Sequence, residues 1–228
     1  MEIFRFVVNR LEENTLIVTG EDGRCVVVDP GFRERGETDA VLGFLDTRGL
    51  RPEAVLLTHG HMDHIYGVAV LQRRYGMPVY LSDKDKPVME YFRQAARFGI
   101  PAADMDFTST DITDGSEIEA AGLRFKVIAT PGHTPGGVCY LEEGSGSLFT
   151  GDTLFAGTIG RTDLEGGDYD SLITSIMEKL TPLDGDTAVY PGHGGSSTIG
   201  SERVSNPFLE PFNEREEIPE LNQQDDKD

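Results

Sequence analysis

Histidine and aspartate are concentrated in one loop of this 228-residue chain. Three of the five histidines and one aspartate lie between His59 and His64, within the segment VLLTHGHMDHIYG at 55–67. Imidazole nitrogens and carboxylate oxygens are common ligands of zinc, iron and manganese in proteins. The His-x-His spacing places two imidazoles on one side of an extended or turning segment. The loop therefore predicts part of a metal site.

The two remaining histidines occur in the same sequence context as the loop. His133 follows FKVIATPG and His193 follows TAVYPG, so each comes after an apolar run that breaks at Thr or at Pro-Gly. Asp152 repeats the context in SLFTGD. A single loop histidine is more often solvated or hydrogen-bonded than a metal ligand, and His193 alone would be interpreted in that way. Because all five histidines occupy equivalent positions, a shared metal site explains the set better.

The spacing of these residues predicts two adjacent metal ions. A catalytic zinc is typically held by three protein ligands, with a fourth position left for water. We predict two such sets, the first formed by His59, His61 and His133 and the second by Asp63, His64 and His193. Asp152 would bridge the two ions, because a carboxylate can bind one metal with each oxygen. Two ions roughly 3.5–4 Å apart would share a water and give hydroxide near neutral pH.

Strands and helices that could position these side chains alternate along the chain. The apolar runs IFRFVV, NTLIVTG and CVVVDP predict an opening meander. Further strands are predicted at 54–57, 78–81, 123–129, 138–141, 148–149 and 187–190. Helical spacing of apolar residues predicts helices at 38–48, 65–74, 86–98 and 169–180, the last capped by Asp168.

This alternation predicts an α/β layer architecture. In such folds, ligands bind in the loops beyond the carboxyl ends of the strands. Four predicted strand ends carry His or Asp, so we expect their loops to converge on one site. We expect a single domain over 1–213, followed by a polar, frayed tail at 214–228.

Composition restricts the class of protein. The chain has 20 basic and 40 acidic residues, a net charge of -20, and such a field repels nucleic acid. No apolar stretch approaches the roughly 20 residues of a membrane helix, and Glu2 and Arg5 interrupt the first apolar run, which argues against a signal peptide. Cys25 and Cys139 are predicted to be small core residues. We therefore expect a cytoplasmic monomer or small homo-oligomer that binds neither nucleic acid nor membrane.

The ordered series His-x-His-x-Asp-His, PGH, GD and PGH resembles the metallo-β-lactamase superfamily, from the first strands to about Leu209. The resemblance implies an αββα sandwich, in which two β-sheets pack face to face with helices outside and a metal site at one edge. It also implies the same ligand roles for the seven residues named above. Asp29, which ends VVVDPG, resembles a strand-end aspartate near the metals and would orient a ligand. The alternative is a turn former before Pro30.

Three longer segments resemble the short glyoxalase II-like hydrolases, such as hydroxyacylglutathione hydrolases. They are TPGHTPGG at 130–137, GDTLFAGTIGRTDLEGGD at 151–168 and PGHGGSSTIGSERVSNPF at 191–208. The resemblance implies hydrolysis of a thioester such as S-lactoylglutathione to a hydroxy acid and a thiol, by attack of a metal-bridging hydroxide. Asp63 and Asp152 would be catalytic. Two divalent ions are implied, zinc first, with iron or manganese as alternatives.

The substrate side of the site departs from that pattern. Full-length glyoxalase II enzymes carry a C-terminal helical domain with basic residues for glutathione, whereas the residues after His193 include only Arg203, Arg215 and Lys227 as basic side chains. The candidates for a substrate wall are Phe155, Arg161 and the segment 83–107. Arg161 could bind a substrate carboxylate, or it could brace Asp163. The aromatic residues of the helix in that segment, Tyr91, Phe92 and Phe98, are predicted to lie in the core.

Other functions share these ligands. Persulfide dioxygenases of the same superfamily bind a single iron with residues equivalent to His59, His133 and Asp152, but resemble PAHDY where this chain has PGHGG at 191–195. Hydrolysis of lactones or phosphodiesters would use the same metals. True lactamases usually have cysteine or serine at the position of Asp152, which argues against that branch. A purely structural metal site is disfavoured because such sites are usually rich in cysteine.

Overall fold

The computed structural model of the chain describes residues 1–95 and 103–209. The predicted end of the helix at Phe98 and the predicted tail at 214–228 lie outside the described residues. The prediction of a single domain over 1–213 is not tested by the described residues and stays a prediction.

The first β-sheet contains the predicted opening meander and three parallel strands. Its six strands lie side by side in chain order: β1 Glu2–Val8, β2 Glu13–Thr19, β3 Arg24–Val28, β4 Arg51–Leu56, β5 Val79–Leu81 and β6 Thr110–Asp111. The first three strands are antiparallel, which confirms the meander, and β3 to β6 run parallel. In the middle of the sheet, Val55 of β4 lies opposite Val27 of β3 and Val79 of β5.

The second β-sheet comes from the second half of the chain. Its six strands are, in spatial order, β14 Ser197–Thr198, β13 Ala188–Pro191, β10 Ser147–Gly151, β9 Val138–Glu142, β8 Leu123–Ala129 and β7 Glu117–Ala120. Only β10 and β13 pair in parallel. A separate hairpin of β11 Leu154–Phe155 and β12 Thr158–Ile159 follows β10. Sequence patterns missed β6, β7, β11, β12 and β14. Four of these, β6, β11, β12 and β14, have only two residues and therefore no apolar period, and β7 has a single buried residue, Ile118.

Six α-helices flank the sheets in the described part of the chain. They are α1 Arg35–Arg48, α2 Met62–Ile65, α3 Val68–Tyr75, α4 Lys86–Ala95, α5 Tyr169–Ser175 and α6 Ile199–Ser205. A π-helical turn, Ile176–Leu180, extends α5. Asp168 caps α5 as predicted, with its carboxylate accepting a 2.7 Å hydrogen bond from the Ser171 amide. None of these helices has the length and hydropathy that a membrane-spanning segment needs.

The helix predicted at 65–74 is divided into α2 and α3. Gly67 lies between them, and a side chain at this position would overlap the ring of the buried Phe32. The close approach lets the loop after β3 pack against the turn, where the Gly67 amide donates to the Pro30 carbonyl at 2.7 Å. The break leaves α2 as one short turn that directly follows the His-x-His segment.

Alternation along the strands builds the layers of an αββα sandwich. In β2, Leu16 and Val18 face the second sheet and pack with residues such as Phe125, whereas Ile17 faces the outer layer that contains Val41 of α1. Successive strand side chains point to opposite faces, so each strand contributes to two cores. The outer face of the second sheet packs against α5 and its extension. The α/β sandwich is therefore confirmed.

Both cysteines are buried core residues, as predicted. Cys25 lies in the outer layer of the first sheet and Cys139 in the outer layer of the second. Burial raises the pKa of the Cys25 thiol to about 12 and that of the Cys139 thiol to about 11. Both thiols are therefore protonated near neutral pH, and neither side chain has the character of a nucleophile or metal ligand.

One edge of the sandwich collects the loops that follow five strands. Asp29 follows β3, Thr58 follows β4, and the remaining loops follow β8, β10 and β13. Two backbone hydrogen bonds join the sheets at this edge: the Val138 amide donates to the Thr58 carbonyl at 2.9 Å, and the Asn14 amide donates to the Gly192 carbonyl at 2.7 Å. Within the second sheet, the Gly192 amide donates to the Gly151 carbonyl at 2.8 Å. The edge is therefore a fixed framework on which the predicted site residues are held.

Candidate metal centre

Three histidines from two loops lie with their ring nitrogens together. His61 is extended and immediately precedes α2, so the rings of His59 and His61 project from the same end of β4. His59 Nε2 lies 3.1 Å from His61 Nδ1, and His133 Nε2 lies 2.9 Å from the same atom. All three side chains are buried. This three-histidine group could hold one metal ion.

A second group of potential ligands lies beside the first. Asp63 and His64 belong to α2, and His193 follows β13. Asp63 Oδ2 lies 3.4 Å from His193 Nε2 and 3.7 Å from His64 Nε2. This Asp63 group offers one carboxylate and two imidazoles, which could hold a second ion.

Asp152 lies between the two groups. Its Oδ1 is 3.5 Å from His64 Nε2, and its Oδ2 is 3.4 Å from His133 Nε2 and 3.6 Å from His193 Nε2. The two oxygens of one carboxylate therefore face ligands of both groups. This is the placement that a bridging ligand needs.

The buried donor atoms of the site fit divalent metal ions. His64 Nε2 and Asp152 Oδ1 are buried and have no hydrogen-bond partner among the described residues. A buried polar atom without a partner is costly, and both atoms face the shared space between the two groups. Mixed imidazole and carboxylate ligands suit zinc, iron and manganese. The described site residues contain no thiolate, the usual mark of a closed structural zinc site.

Hydrogen bonds on the far side of the rings fix their orientation. Asp29 accepts hydrogen bonds from the Thr58 amide at 2.7 Å, from the Thr58 hydroxyl at 2.6 Å and from His64 Nδ1 at 3.1 Å. The Nδ1 atoms of His133 and His193 lie 2.7 Å and 2.9 Å from backbone carbonyls. Such partners hold the opposite nitrogen towards the metal. Asp29 also has a φ of 45°, so it forms the turn before Pro30 and orients His64 as well.

The glycine of the last PGH motif is required by close packing. A side chain at Gly192 would overlap Asp152 Oδ1 and the His64 ring. The Asn14 amide also donates to the Gly192 carbonyl at 2.7 Å. The glycine therefore lets the last loop lie directly against two potential ligands.

Asp85 is a site residue that sequence reasoning missed. Its position directly before the helix predicted at 86–98 indicates a helix start, but its side chain is fully buried beneath the metal loops. One oxygen accepts hydrogen bonds from the Gly60 amide and the Thr134 hydroxyl, both at 2.8 Å, and the other accepts from the Gly136 amide at 2.5 Å. Asp85 thereby joins the His-x-His loop to the loop of His133. Its partners are distant in sequence, so no local pattern indicated this contact.

Asp85→Asn is expected to weaken metal binding by about 10- to 100-fold, the range for residues that orient ligands. An asparagine would direct its NH₂ group at a backbone amide that now donates to the carboxylate. The measurement is competition for zinc between the protein and a chromogenic chelator. Asp83→Asn is the matched control, because that carboxylate is exposed and pairs with Lys86. Equal zinc affinity of the wild type and Asp85→Asn would contradict the bracing role.

The pKa values of two histidines in the three-histidine group and of the two histidines in the Asp63 group are shifted in opposite directions. Burial, with the neighbouring histidines, holds the pKa of His59 well below its usual range and lowers that of His61 to about 3. Burial opposes protonation of His64 and His193 too, but the carboxylates of Asp63 and Asp152 outweigh it and raise both pKa values. Without metal, protons therefore collect on the Asp63 group.

Acidification is expected to release metal from the Asp63 group before the three-histidine group. A raised pKa means that His64 and His193 bind protons at a pH at which His59 and His61 are still neutral, and protons compete with metal for imidazole nitrogen. The visible absorbance of the cobalt-substituted protein, followed from about pH 8 to about pH 4, should fall in two steps. His193→Ala should lack the step at higher pH. A single step, or the loss of the lower step in His193→Ala, would contradict this order.

The two groups lie at the floor of a cleft of about 1070 Å³. Phe155 and Arg161 both line it, and so does Phe92 of α4, whose ring packs edge-on against His61 with centroids 5.2 Å apart. Arg161 forms hydrogen bonds of 2.7 Å and 2.8 Å with Asp163, so it braces that carboxylate while lining the cleft. The prediction that Tyr91 lies in the core is wrong, because Tyr91 is 49% exposed. Phe98 lies outside the described residues.

The αββα sandwich and a histidine-rich donor set at its edge define the chain as a metallo-hydrolase. Residues 8–193 match the metallo-β-lactamase superfamily, and the chain belongs to this superfamily. In the sequence, the order of the four ligand motifs indicated this superfamily.

Similar proteins lie in several branches of the superfamily. The chain is 37% identical to hydroxyacylglutathione hydrolase GloC of Haemophilus influenzae, over 92% of this chain and 98% of that protein. The crystal structure of the BLEG-1 B3 metallo-β-lactamase matches with a TM-score of 0.84 and 34% identity, over 91% of this chain and 99% of that one. TTHA1623 in a di-iron-bound form matches with a TM-score of 0.80 and 37% identity, over 90% of this chain and all (100%) of that one.

Proposed function

We propose that the chain is a thioester hydrolase that binds two divalent metal ions and cleaves a substrate such as S-lactoylglutathione. The observation that carries the proposal is the position of Asp152, whose two oxygens face ligands of both groups at 3.4–3.6 Å. The similarity to a hydroxyacylglutathione hydrolase supports the substrate class. Zinc is the favoured metal, with iron or manganese as alternatives. The di-iron form of TTHA1623 supports iron as one of these.

The proposed reaction adds water across the thioester. The water oxygen bonds to the carbonyl carbon, the carbon–sulfur bond breaks, and the products are a hydroxy acid and a thiol. Bound metal ions would supply a water of lowered pKa and polarise the carbonyl. Burial opposes ionisation of Asp63, but His64 and a hydrogen bond from His193 outweigh it and lower the pKa of Asp63. Asp63 therefore stays ionised near neutral pH and can accept a hydrogen bond from the attacking water.

The walls of the cleft would hold the substrate over this floor. Phe92 and Phe155 line it near His61 and His193, respectively, with the Phe155 and His193 ring centroids 6.3 Å apart. Apolar walls exclude water and strengthen electrostatic interactions inside the cleft. We also propose that the protein acts in the cytoplasm as a monomer or small homo-oligomer. We propose that it binds neither nucleic acid nor membrane, because its net charge of -20 disfavours polyanions.

The direct test is hydrolysis of S-lactoylglutathione by protein purified with its native metal. Turnover in the wild type that is lost in His61→Ala, with metal content measured in both samples, would support the proposal. No turnover by a sample that contains about two metal ions per chain would overturn thioester hydrolysis as the function.

β-Lactam hydrolysis is the second candidate, favoured by the structural match to BLEG-1. Both reactions attack a carbonyl carbon above the same donor set. Nitrocefin in the same assay separates them, and a kcat/KM for nitrocefin above that for S-lactoylglutathione would reverse the order of the two candidates.

The persulfide dioxygenase alternative predicts oxygen consumption with glutathione persulfide and about one iron per chain. A persulfide dioxygenase needs three ligands, equivalent to His59, His133 and Asp152. In this protein Asp63, His64 and His193 form a further group of potential ligands beside them. The larger donor set supports the two-metal proposal. Oxygen consumption by the iron-loaded protein, without thioester turnover, would favour the dioxygenase.

A further inference from the structure

Two arginines line the cleft without a carboxylate partner in the described part of the chain. Arg10 and Arg33 are both exposed and both lie along the cleft that contains Asp63 and His193. Among residues 1–95 and 103–209, neither guanidinium forms a salt bridge with a carboxylate, whereas Arg161 of the same cleft is paired with Asp163. The chain has twice as many acidic as basic residues, 40 against 20. Glu34 lines the same cleft but forms no salt bridge with either arginine among the described residues, so both guanidinium groups are available to an external anion.

Glu37 of α1 fixes the two arginine loops beside each other. One of its oxygens accepts a hydrogen bond from the Asn9 amide at 2.7 Å, and the other accepts from the amides of Arg33 at 2.8 Å and Glu34 at 3.0 Å. Its carboxylate is thus occupied by backbone N–H groups. One side chain joins the turn that carries Arg10 to the loop that carries Arg33.

Asn9 then fixes this pair of loops to the metal centre. Its amide nitrogen Nδ2 donates to the backbone carbonyl of Asp63 at 3.0 Å and to that of Gly31 at 3.1 Å. Asn9 has a φ of 53°, a left-handed conformation that asparagine tolerates better than most residues. The backbone next to Arg10 is therefore held in register with Asp63.

Arg33 is further ordered by an aromatic ring. Its guanidinium carbon lies 5.1 Å from the centroid of the Tyr66 ring, which also lines the cleft. The Arg33 side chain also donates a hydrogen bond to the Tyr66 side chain. Because the group carries five N–H donors, contact with one tyrosine does not exhaust them. A planar guanidinium can bind a carboxylate through two parallel hydrogen bonds.

We infer that Arg10 and Arg33 form a binding site for a carboxylate of the substrate, so that the preferred substrates are thioesters that carry a carboxylate away from the scissile bond. This inference rests on the proposed thioester hydrolysis. The carboxylate can belong to the thiol carrier or to the acyl group, because the same guanidinium chemistry recognises either.

The test compares kcat/KM for matched charged and neutral thioesters. S-lactoylglutathione against its dimethyl ester tests a carboxylate on the thiol side. S-adipoyl-N-acetylcysteamine against its methyl ester tests one on the acyl side. We expect the wild type to prefer the charged member of one pair by about tenfold or more, as charge-assisted hydrogen bonds allow. The double variant R10Q/R33Q should lose that preference. R124Q is the control, because Arg124 lies in β8 and pairs with Glu119 and Glu143.

No preference in the wild type for either pair, or a preference that R10Q/R33Q retains, would overturn the inference while leaving thioester hydrolysis intact. If the metal-loaded wild type hydrolyses none of the four thioesters, the proposed function fails. The carboxylate site is then tested by itself, through calorimetric measurement of the binding of S-methylglutathione and of adipate. Binding that weakens in R10Q/R33Q but not in R124Q supports the carboxylate site. Binding of neither probe, or equal binding by the wild type and R10Q/R33Q, overturns it.

Discussion

Asp152→Ala is expected to reduce kcat/KM by about a thousandfold or more, because a metal supplies several kcal/mol of charge stabilisation in the transition state. The substitution removes both oxygens that face the two groups: Oδ1 beside His64 and Oδ2 beside His133 and His193. Each ion would therefore lose one ligand. The variant should also contain about half as much bound metal as the wild type. The measurements are steady-state kinetics with S-lactoylglutathione and metal analysis of the same samples.

Asp170→Asn is the control for Asp152→Ala, because Asp170 is an exposed acid in the first turn of α5. It should retain wild-type activity and metal content. A fully metal-loaded Asp152→Ala protein with wild-type kcat/KM would show that Asp152 is not a bridging ligand. A loss of activity with unchanged metal content would indicate that Asp152 contacts the attacking water or the substrate instead of a metal ion.

Removal of metal is expected to lower the unfolding temperature by about 10 °C. Bound ligand at about a thousand times its Kd stabilises the folded state by about 4 kcal/mol, and each kcal/mol shifts Tm by about 2–4 °C in a chain of this size. The physical reason lies in the buried donors. His61 Nδ1 faces two other ring nitrogens at 2.9 Å and 3.1 Å, and His64 Nε2 and Asp152 Oδ1 are buried without a hydrogen-bond partner among the described residues. A bound metal ion would offset both costs.

Differential scanning fluorimetry of chelator-treated and metal-loaded protein measures this shift. Restoration of Tm by zinc, iron or manganese, each added alone under anaerobic conditions, also ranks the three metals. Asp152→Ala is the informative comparison, because it should show a smaller shift than the wild type. Identical Tm values for the stripped and loaded wild type would indicate that these side chains do not bind metal tightly.

The elements that periodicity predicted are those with long, regular apolar patterns. The opening meander, the helix at α1 and the cap at Asp168 were predicted from local sequence, because strand alternation, helical spacing and capping act over a few residues. The two-residue strands β11, β12 and β14 were missed. Such strands are defined by pairing with neighbours that already exist, so their own residues carry little signal. Gly67 divided one predicted helix because of contact with Phe32, which lies far away in sequence.

The sequence by itself determined which side chains are candidates for the metal centre. Each of the seven donors follows or adjoins a predictable strand, and the carboxyl ends of strands meet at one edge of a layered fold. The order and spacing of the motifs also predicted the two ligand sets and the position of Asp152 between them. Only the tertiary structure decided the distances, with one oxygen of Asp152 at 3.5 Å from His64 and the other at 3.4 Å from His133, and the contacts that hold the loops. Local sequence does not indicate that Asp85 braces two loops, or that Glu37 holds Arg10 and Arg33 at the cleft. These contacts join residues that are far apart in the chain, and they exist only once the two sheets have packed.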